Sequence, residues 1–341
     1  MRSYWVGLFA GILGPLVAMA GLYGVLASTK RLPAPAITRI EYLDEKLRFL
    51  RERPELKPEI VAVGSSIAWR QLDGDAFAER FGENHVLNGA TAFLKVNQTR
   101  YLTHYYLDRF PDLQTVLLML GPTDFRDCAK IAPELFDPED ATAYAFDRSF
   151  APPFYLKYFA PLAYLRRAKG LPKQRTPLIG EMWLDEYGSA PIQAPKEMVQ
   201  ARGQLYGAVR LDQICVDAFL RLVPEIKARG VRPIVVFPPI HPEYRSQFPQ
   251  SMADLRAVAD RLRVAMGGDV TIVDSMEEDF APTDFFDAVH LQWAAVRIYS
   301  ERLAQAVMPS QAPTQTGSIG SGSEGVGIDG GRREWLGPAG P

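Results

Sequence analysis

Two short patterns, far apart in the chain, carry residue types that together could perform nucleophilic chemistry. The first is Gly64-Ser65-Ser66, which ends the apolar run Glu59-Ile60-Val61-Ala62-Val63. The second is Asp287-Ala288-Val289-His290, close to the last helical pattern. A carboxylate three positions before a histidine can share one face of a turn and orient the imidazole. An imidazole so held can take the proton of a serine hydroxyl while the carboxylate steadies the imidazolium. Alone, Gly-Ser-Ser reads as a capped helix start, and Asp-x-x-His as packing at a helix entrance. Their occurrence in one fold points to Ser–His–Asp chemistry.

A fold that brings them together needs both patterns at the same edge of one sheet. The run 59–66, rich in valine and isoleucine and closed by glycine, reads as a buried parallel strand. A helical region over 67–82 follows, then a short strand at 85–88 ending in Asn88-Gly89-Ala90-Thr91-Ala92. A helix over about 95–109 leads to a strand at 115–120 that ends in Gly121-Pro122-Thr123-Asp124. Beyond a long irregular segment come a helix over about 205–229, a strand at 233–237 ending in Pro238-Pro239-Ile240-His241, a helix over 251–266 and a strand at 270–274. A last helix runs from His290 to about 308. Five apolar strands separated by helices predict an α/β fold with a parallel five-stranded sheet and helices on both faces. In such sheets ligands sit outside the carboxyl ends of the strands. Ser65, Ser66, Asn88, Thr123, Asp124, His241, Asp287 and His290 all follow strand ends.

Composition narrows the class of partner. The formal net charge is −2, with 47% hydrophobic residues, so nothing suggests nucleic-acid binding. Cys128 and Cys215 fit no metal spacing, and with only four histidines no metal centre or cofactor is expected. The two cysteines could pair in an oxidising compartment, although nothing in the sequence brings them together. Tyr4 to Ala27 carries no charge and is long enough to span a bilayer. Residues 1–31 therefore read as an uncleaved signal anchor, in preference to a signal peptide cut near Ala18-Met19-Ala20. Arg2 on one flank and Lys30 and Arg31 on the other leave orientation undecided by charge. Residues 32–58 read as a linker and an amphipathic helix, and 59–308 as the main domain. Within it, 125–204 reads as an inserted subdomain or lid. Its Phe154–Phe159 and Leu162–Arg167 stretches mix aromatic and basic residues, which suits a membrane interface and a subdomain core equally. The Gly/Ser/Pro-rich tail, 309–341, reads as disordered.

Gly64-Ser65-Ser66, Asn88-Gly89-Ala90, Gly121-Pro122-Thr123-Asp124 and Asp287-Ala288-Val289-His290 resemble, in order and spacing, the blocks of the SGNH/GDSL hydrolase superfamily. The resemblance covers about residues 59–124 and 231–308. It implies a flavodoxin-like three-layer α/β/α sandwich. It also implies Ser66 as nucleophile, with His290 and Asp287 completing the triad and Ser65 in place of a non-catalytic aspartate. The oxyanion donors it implies are the Ser66 amide, a block-two amide at Ala90 or Ala92, and the side chain at Thr123, where the family carries asparagine. Asp124 braces its loop or serves as a buried structural carboxylate. His241 contacts substrate or lies exposed in its loop. The implied activity is that of a membrane-anchored serine esterase or O-acyltransferase with its domain in the periplasm or outside the cell, acting on acylated carbohydrate. The alternative is a catalytically weak or inactive domain that binds cell-envelope glycan or a partner protein.

Overall fold

Apolar runs of three to six residues, each bounded by turn formers, fold here as the strands of one sheet. In the computed structural model the described residues are 2–38, 40–176, 182–194 and 206–307, with side chains at 2–10, 12 and 16 outside that description. The strands are β1 (Ile60–Val63), β2 (Val86–Asn88), β3 (Thr115–Met119), β4 (Arg232–Phe237) and β5 (Thr271–Asp274). They pair in the order β2-β1-β3-β4-β5, every neighbour parallel. Val61 sits between Leu87 and Val116, which fixes the register at the centre. Strands β1 to β3 are buried throughout, as continuous apolar runs require when helices cover a parallel sheet. The edge strand β5 alternates less cleanly and is half-exposed.

Helices flank the sheet. In chain order they are α1 (Arg2–Ser28), α2 (Glu41–Glu52), α3 (Ser66–Arg70), α4 (Gly74–Phe81), α5 (Val96–Arg109), α6 (Pro138–Ala145), α7 (Pro152–Lys157), α8 (Pro161–Gln174), α9 (Gln213–Ala228), α10 (Pro242–Gln247), α11 (Pro249–Ala265) and α12 (Trp293–Val307). Helix α5 packs with α9 and α9 with α11, while α4 packs with α12. The helical region expected over 67–82 is broken in two. Helix α3 ends at Arg70, and Asp73 starts α4 by accepting from the Ala76 amide at 3.1 Å. The helix expected from 205 begins at Gln213, where Asp212 accepts from the Ile214 amide at 2.9 Å. Residue 205 of that expectation, 177–181 and 195–204 of the expected insert, and the expected tail 309–341 lie outside the described residues.

The segment after Asp124 has helical order that the sequence pattern concealed. Each of α6, α7 and α8 starts with a proline in its first turn, where the missing N–H costs nothing. Ala141 and Tyr144 of α6 and Phe154 of α7 join the same hydrophobic cluster as the sheet, whereas α8 buries Tyr164, Ala168 and Leu171 apart from it. Helix α2 packs on α6 and buries Leu43, Leu47 and Leu50. The fully buried Lys46 of α2 donates to the carbonyls of Asn88, at 2.7 Å, and Gly188.

The backbone of 2–28 is one helix, as the anchor reading requires. Among the described residues, however, no helix is long and apolar enough to cross a membrane. Part of the apolar run, residues 4–10, falls where side chains lie outside the description.

Candidate active site

In the order β2-β1-β3-β4-β5 the chain leaves β1 first to one side and later to the other. The crevice beyond the ends of β1 and β3 is therefore the topological switch point, where open α/β sheets bind ligands. Gly64 closes β1 there. A side chain at this position would place its Cβ 2.3 Å from the Met119 carbonyl oxygen and 2.8 Å from Ala68 Cβ, so only glycine lets the turn pass so close to β3. The turn hands the chain to α3, whose N-cap is Ser65. Ser65 is buried, and its Oγ accepts the Ile67 amide at 3.2 Å. Ser66, the next residue, is only half-buried.

The Ser66 hydroxyl lies 3.0 Å from Nε2 of His290. Nδ1 of the same ring lies 2.9 and 2.8 Å from the two carboxylate oxygens of Asp287. Oδ1 of Asp287 also accepts the amides of Val289 and His290, each at 2.9 Å. The Asp-x-x-His spacing thus works as a side-chain-capped turn that precedes α12 rather than as one face of that helix. Neighbours hold the turn rigid. Gln71, fully buried, donates to the Val289 carbonyl at 2.6 Å, and the His241 amide donates to the Ala288 carbonyl at 3.0 Å. Burial works to raise the Asp287 pKa, but the His290 ring and the two amides outweigh it, so the carboxyl is held below its usual range. An ionised Asp287 favours the tautomer with the proton on Nδ1, leaving Nε2 to accept from Ser66.

The remaining expected residues fall into three groups. Thr123 and Asp124 follow β3 in the turn Pro122–Phe125, beside Ser65. Asp124 is buried and braces: it accepts the Gly121 amide at 2.9 Å and bonds the Ser65 side chain. Burial lifts its pKa to about 6, against the pull of those bonds and of Lys95. Lys95 itself donates to the Thr123 carbonyl at 2.8 Å. Ala90 lies on the loop after β2, and its amide turns back to Asn88 Oδ1 at 3.1 Å. That loop touches the serine turn, the Thr91 amide reaching the Gly64 carbonyl at 3.4 Å. His241 differs from the exposed loop histidine expected. It is only 8% exposed, caps α10 by accepting the Glu243 amide at 3.1 Å and packs on the Phe285 ring at 5.2 Å. Burial holds its pKa below the usual histidine value. After the Pro238-Pro239 turn it packs against the segment that carries the Asp287 turn.

Some participants carried no sequence signal. Tyr206 donates to Asp287 Oδ2 at 3.2 Å, a third support for the carboxylate, yet no pattern surrounds it. Asn88 is spent on structure: its amide group donates to the carbonyls of Ala68 and Trp69 at 3.0 and 3.2 Å and to Ser189 Oγ at 3.0 Å. It thereby fastens α3 to the end of β2. Cys128 and Cys215 are joined as a disulfide. Among the described residues no group of three or more His, Cys, Asp or Glu side chains is placed to hold a metal ion. No protein-family model matches the chain, and no curated protein matches it.

Proposed function

We propose that the chain is a serine-dependent acyl-ester hydrolase or O-acyltransferase of the SGNH/GDSL type, acting on acylated carbohydrate outside the cytoplasm. The observation that carries the reading is the continuous path Ser66 Oγ–His290 Nε2 and His290 Nδ1–Asp287, every separation 2.8–3.0 Å. As Ser66 Oγ attacks an ester carbonyl carbon, its proton passes to His290 Nε2, and Asp287 stabilises the imidazolium. The carbonyl oxygen becomes an oxyanion. The donors this reading assigns to it are the Ser66 amide, in the first turn of α3, and the Thr123 hydroxyl. When the intermediate collapses, the ester C–O bond breaks and His290 returns the proton to the leaving alkoxide. The acyl group remains on Ser66. His290 then deprotonates water or a sugar hydroxyl as its oxygen attacks the acyl carbon; the acyl–Oγ bond breaks and His290 returns the proton to Ser66, which gives hydrolysis with water and transfer with the sugar.

The Cys128–Cys215 disulfide supports an oxidising compartment. Exposed Leu13, Val17 and Val25 on α1 support an N-terminal membrane helix that holds the domain at the outer side. Steady-state hydrolysis of a small acetyl ester tests the chemistry: Ser66→Ala and His290→Ala should each fall to background. A second reading, a weak or inactive domain that binds envelope glycan or a partner protein, is favoured by the Ala90 amide bonded to Asn88 and by the short Thr123 side chain. Wild-type turnover equal to that of Ser66→Ala would establish this second reading.

A further inference from the structure

Large apolar side chains left in water are concentrated in one part of this molecule. Among the described residues, Phe150, Leu156, Phe159, Leu162 and Leu165 are all exposed, and three more exposed ones belong to α1. Only Phe93, Ile214, Val264 and Ile298 lie elsewhere. The stretch is not loosely folded, because α8 has a well-packed inner face: Tyr164, Ala168 and Leu171 are buried. Its outer face repeats at helical spacing and changes character along its length. Leu162, 81% exposed, and Leu165 come first, and then Arg166, Lys169 and Lys173, also exposed. An apolar stretch followed by cations on one helical face is the pattern of a helix lying in a lipid headgroup layer.

The place of this face in the fold indicates what covers it. The Tyr23 ring of α1 lies 5.2 Å from that of Tyr155 in α7 and 6.1 Å from that of Tyr164 in α8. The Tyr155 hydroxyl donates to the Pro33 carbonyl at 2.8 Å, and Arg175, just beyond α8, donates to the Lys30 carbonyl at 3.1 Å. The α7–α8 pair therefore flanks α1 where its apolar run ends and the chain turns into the domain. Aromatic rings at such a level are characteristic of a membrane–water boundary.

We infer that α7 and α8 form a second membrane contact, which sits in the headgroup layer of an anionic bilayer beside the point where α1 enters it. Phe159, Leu162 and Leu165 dip toward the acyl boundary, and Arg166, Lys169 and Lys173 meet lipid phosphates. The inference rests on the reading of α1 as a membrane helix only for its orientation, and the two can fail separately. Both native cysteines are in the disulfide, so one introduced cysteine can carry a polarity-sensitive fluorophore without competition.

The full chain, reconstituted in phosphatidylglycerol/phosphatidylcholine vesicles with doxyl-labelled lipid, is to be compared for Leu162→Cys, Val17→Cys and Val264→Cys. Emission at position 162 should shift to the blue and be quenched by the doxyl lipid, while position 264 stays unquenched. Pure phosphatidylcholine, or Arg166→Glu combined with Lys169→Glu, should reduce quenching at 162 and leave position 17 unchanged. Quenching at 17 with none at 162 overturns the second contact and keeps the anchor. Quenching at 162 with none at 17 keeps the contact and removes the anchor. A blue shift at 162 that persists in detergent without lipid quenching assigns the face to a second copy or a protein partner and overturns the inference.

Discussion

Ser65 and Ser66 are adjacent and chemically identical, yet their surroundings give them different work. Ser65 is buried with its oxygen spent on the Ile67 amide, whereas Ser66 faces the imidazole and is half-open to solvent. Asp287 holds that imidazole through its charge. Asp287→Asn should leave the fold intact and lower kcat by on the order of 10⁴, less than the loss in Ser66→Ala, because it spoils tautomer and charge without removing a reacting atom. Asp124 should appear in stability rather than turnover. Its folded pKa of about 6 lies above the ordinary carboxylate value, so the folded protein keeps a proton that the unfolded chain has released between about pH 4 and pH 6. Its contribution is fully present at the acid end of that window and is lost as pH rises through it. Asp124→Asn should flatten this part of the stability–pH curve measured by denaturant unfolding. A slope equal to wild type would show that the carboxyl does not titrate there. At this scale the triad was legible because its residues follow strand ends in recognisable spacings. Tyr206 was not, because a lone tyrosine in an irregular segment gives no sign of which distant carboxylate it meets. The burial of His241 was not foreseen because an adjacent Pro-Pro suggests an exposed loop, although proline also starts the helix that this histidine caps.

Elements carry the site by keeping loop ends in register. Cys128, shortly after β3, is bonded to Cys215 in α9 across 87 residues of sequence. The bond closes a loop that contains α6, α7 and α8, and fixes the chain downstream of Asp124 against a helix that packs on the sheet. Replacing both cysteines by serine should lower unfolding free energy by about 2–5 kcal/mol. The triad lies outside that loop, so ester turnover at low temperature should survive. Loss of turnover in a protein still folded by circular dichroism would show that the bond shapes the site directly. The strands were legible because runs such as Val61-Ala62-Val63 and Leu118-Met119-Leu120 end on glycine. Helices α6 to α8 were less so: α6 and α7 are too short to show a 3.6-residue period, and the prolines that lead all three, with Pro172 inside α8, read as breaks in a helical pattern. The disulfide was illegible in principle, since chain separation says nothing about which loops the fold brings together.

At the scale of the whole molecule, one parallel sheet gathers residues from both halves of the chain to a single crevice. Under the proposed function, α1 is a membrane helix and everything after it lies outside the cytoplasm. A dual reporter fused after residue 60 should therefore be active only in its exported form. Activity only in the cytoplasmic form would reverse the orientation and remove the oxidising environment that the disulfide calls for. The order β2-β1-β3-β4-β5 was legible only as a sheet of five parallel strands, because strand order depends on where connections cross and not on the strands' own composition. Helix α2, which reads in sequence as an amphipathic helix outside the main domain, is fastened to the end of β2 by the buried Lys46.

The central claim is that Ser66 is an activated nucleophile, and active-site labelling with a fluorophosphonate followed by peptide mass spectrometry tests it most directly. The expected result is one adduct, on Ser66, formed at full rate in Ser65→Ala and absent in Ser66→Ala, with His290→Ala labelling at background. Wild-type protein that labels no faster than Ser66→Ala, or an adduct carried by Ser65, would contradict it.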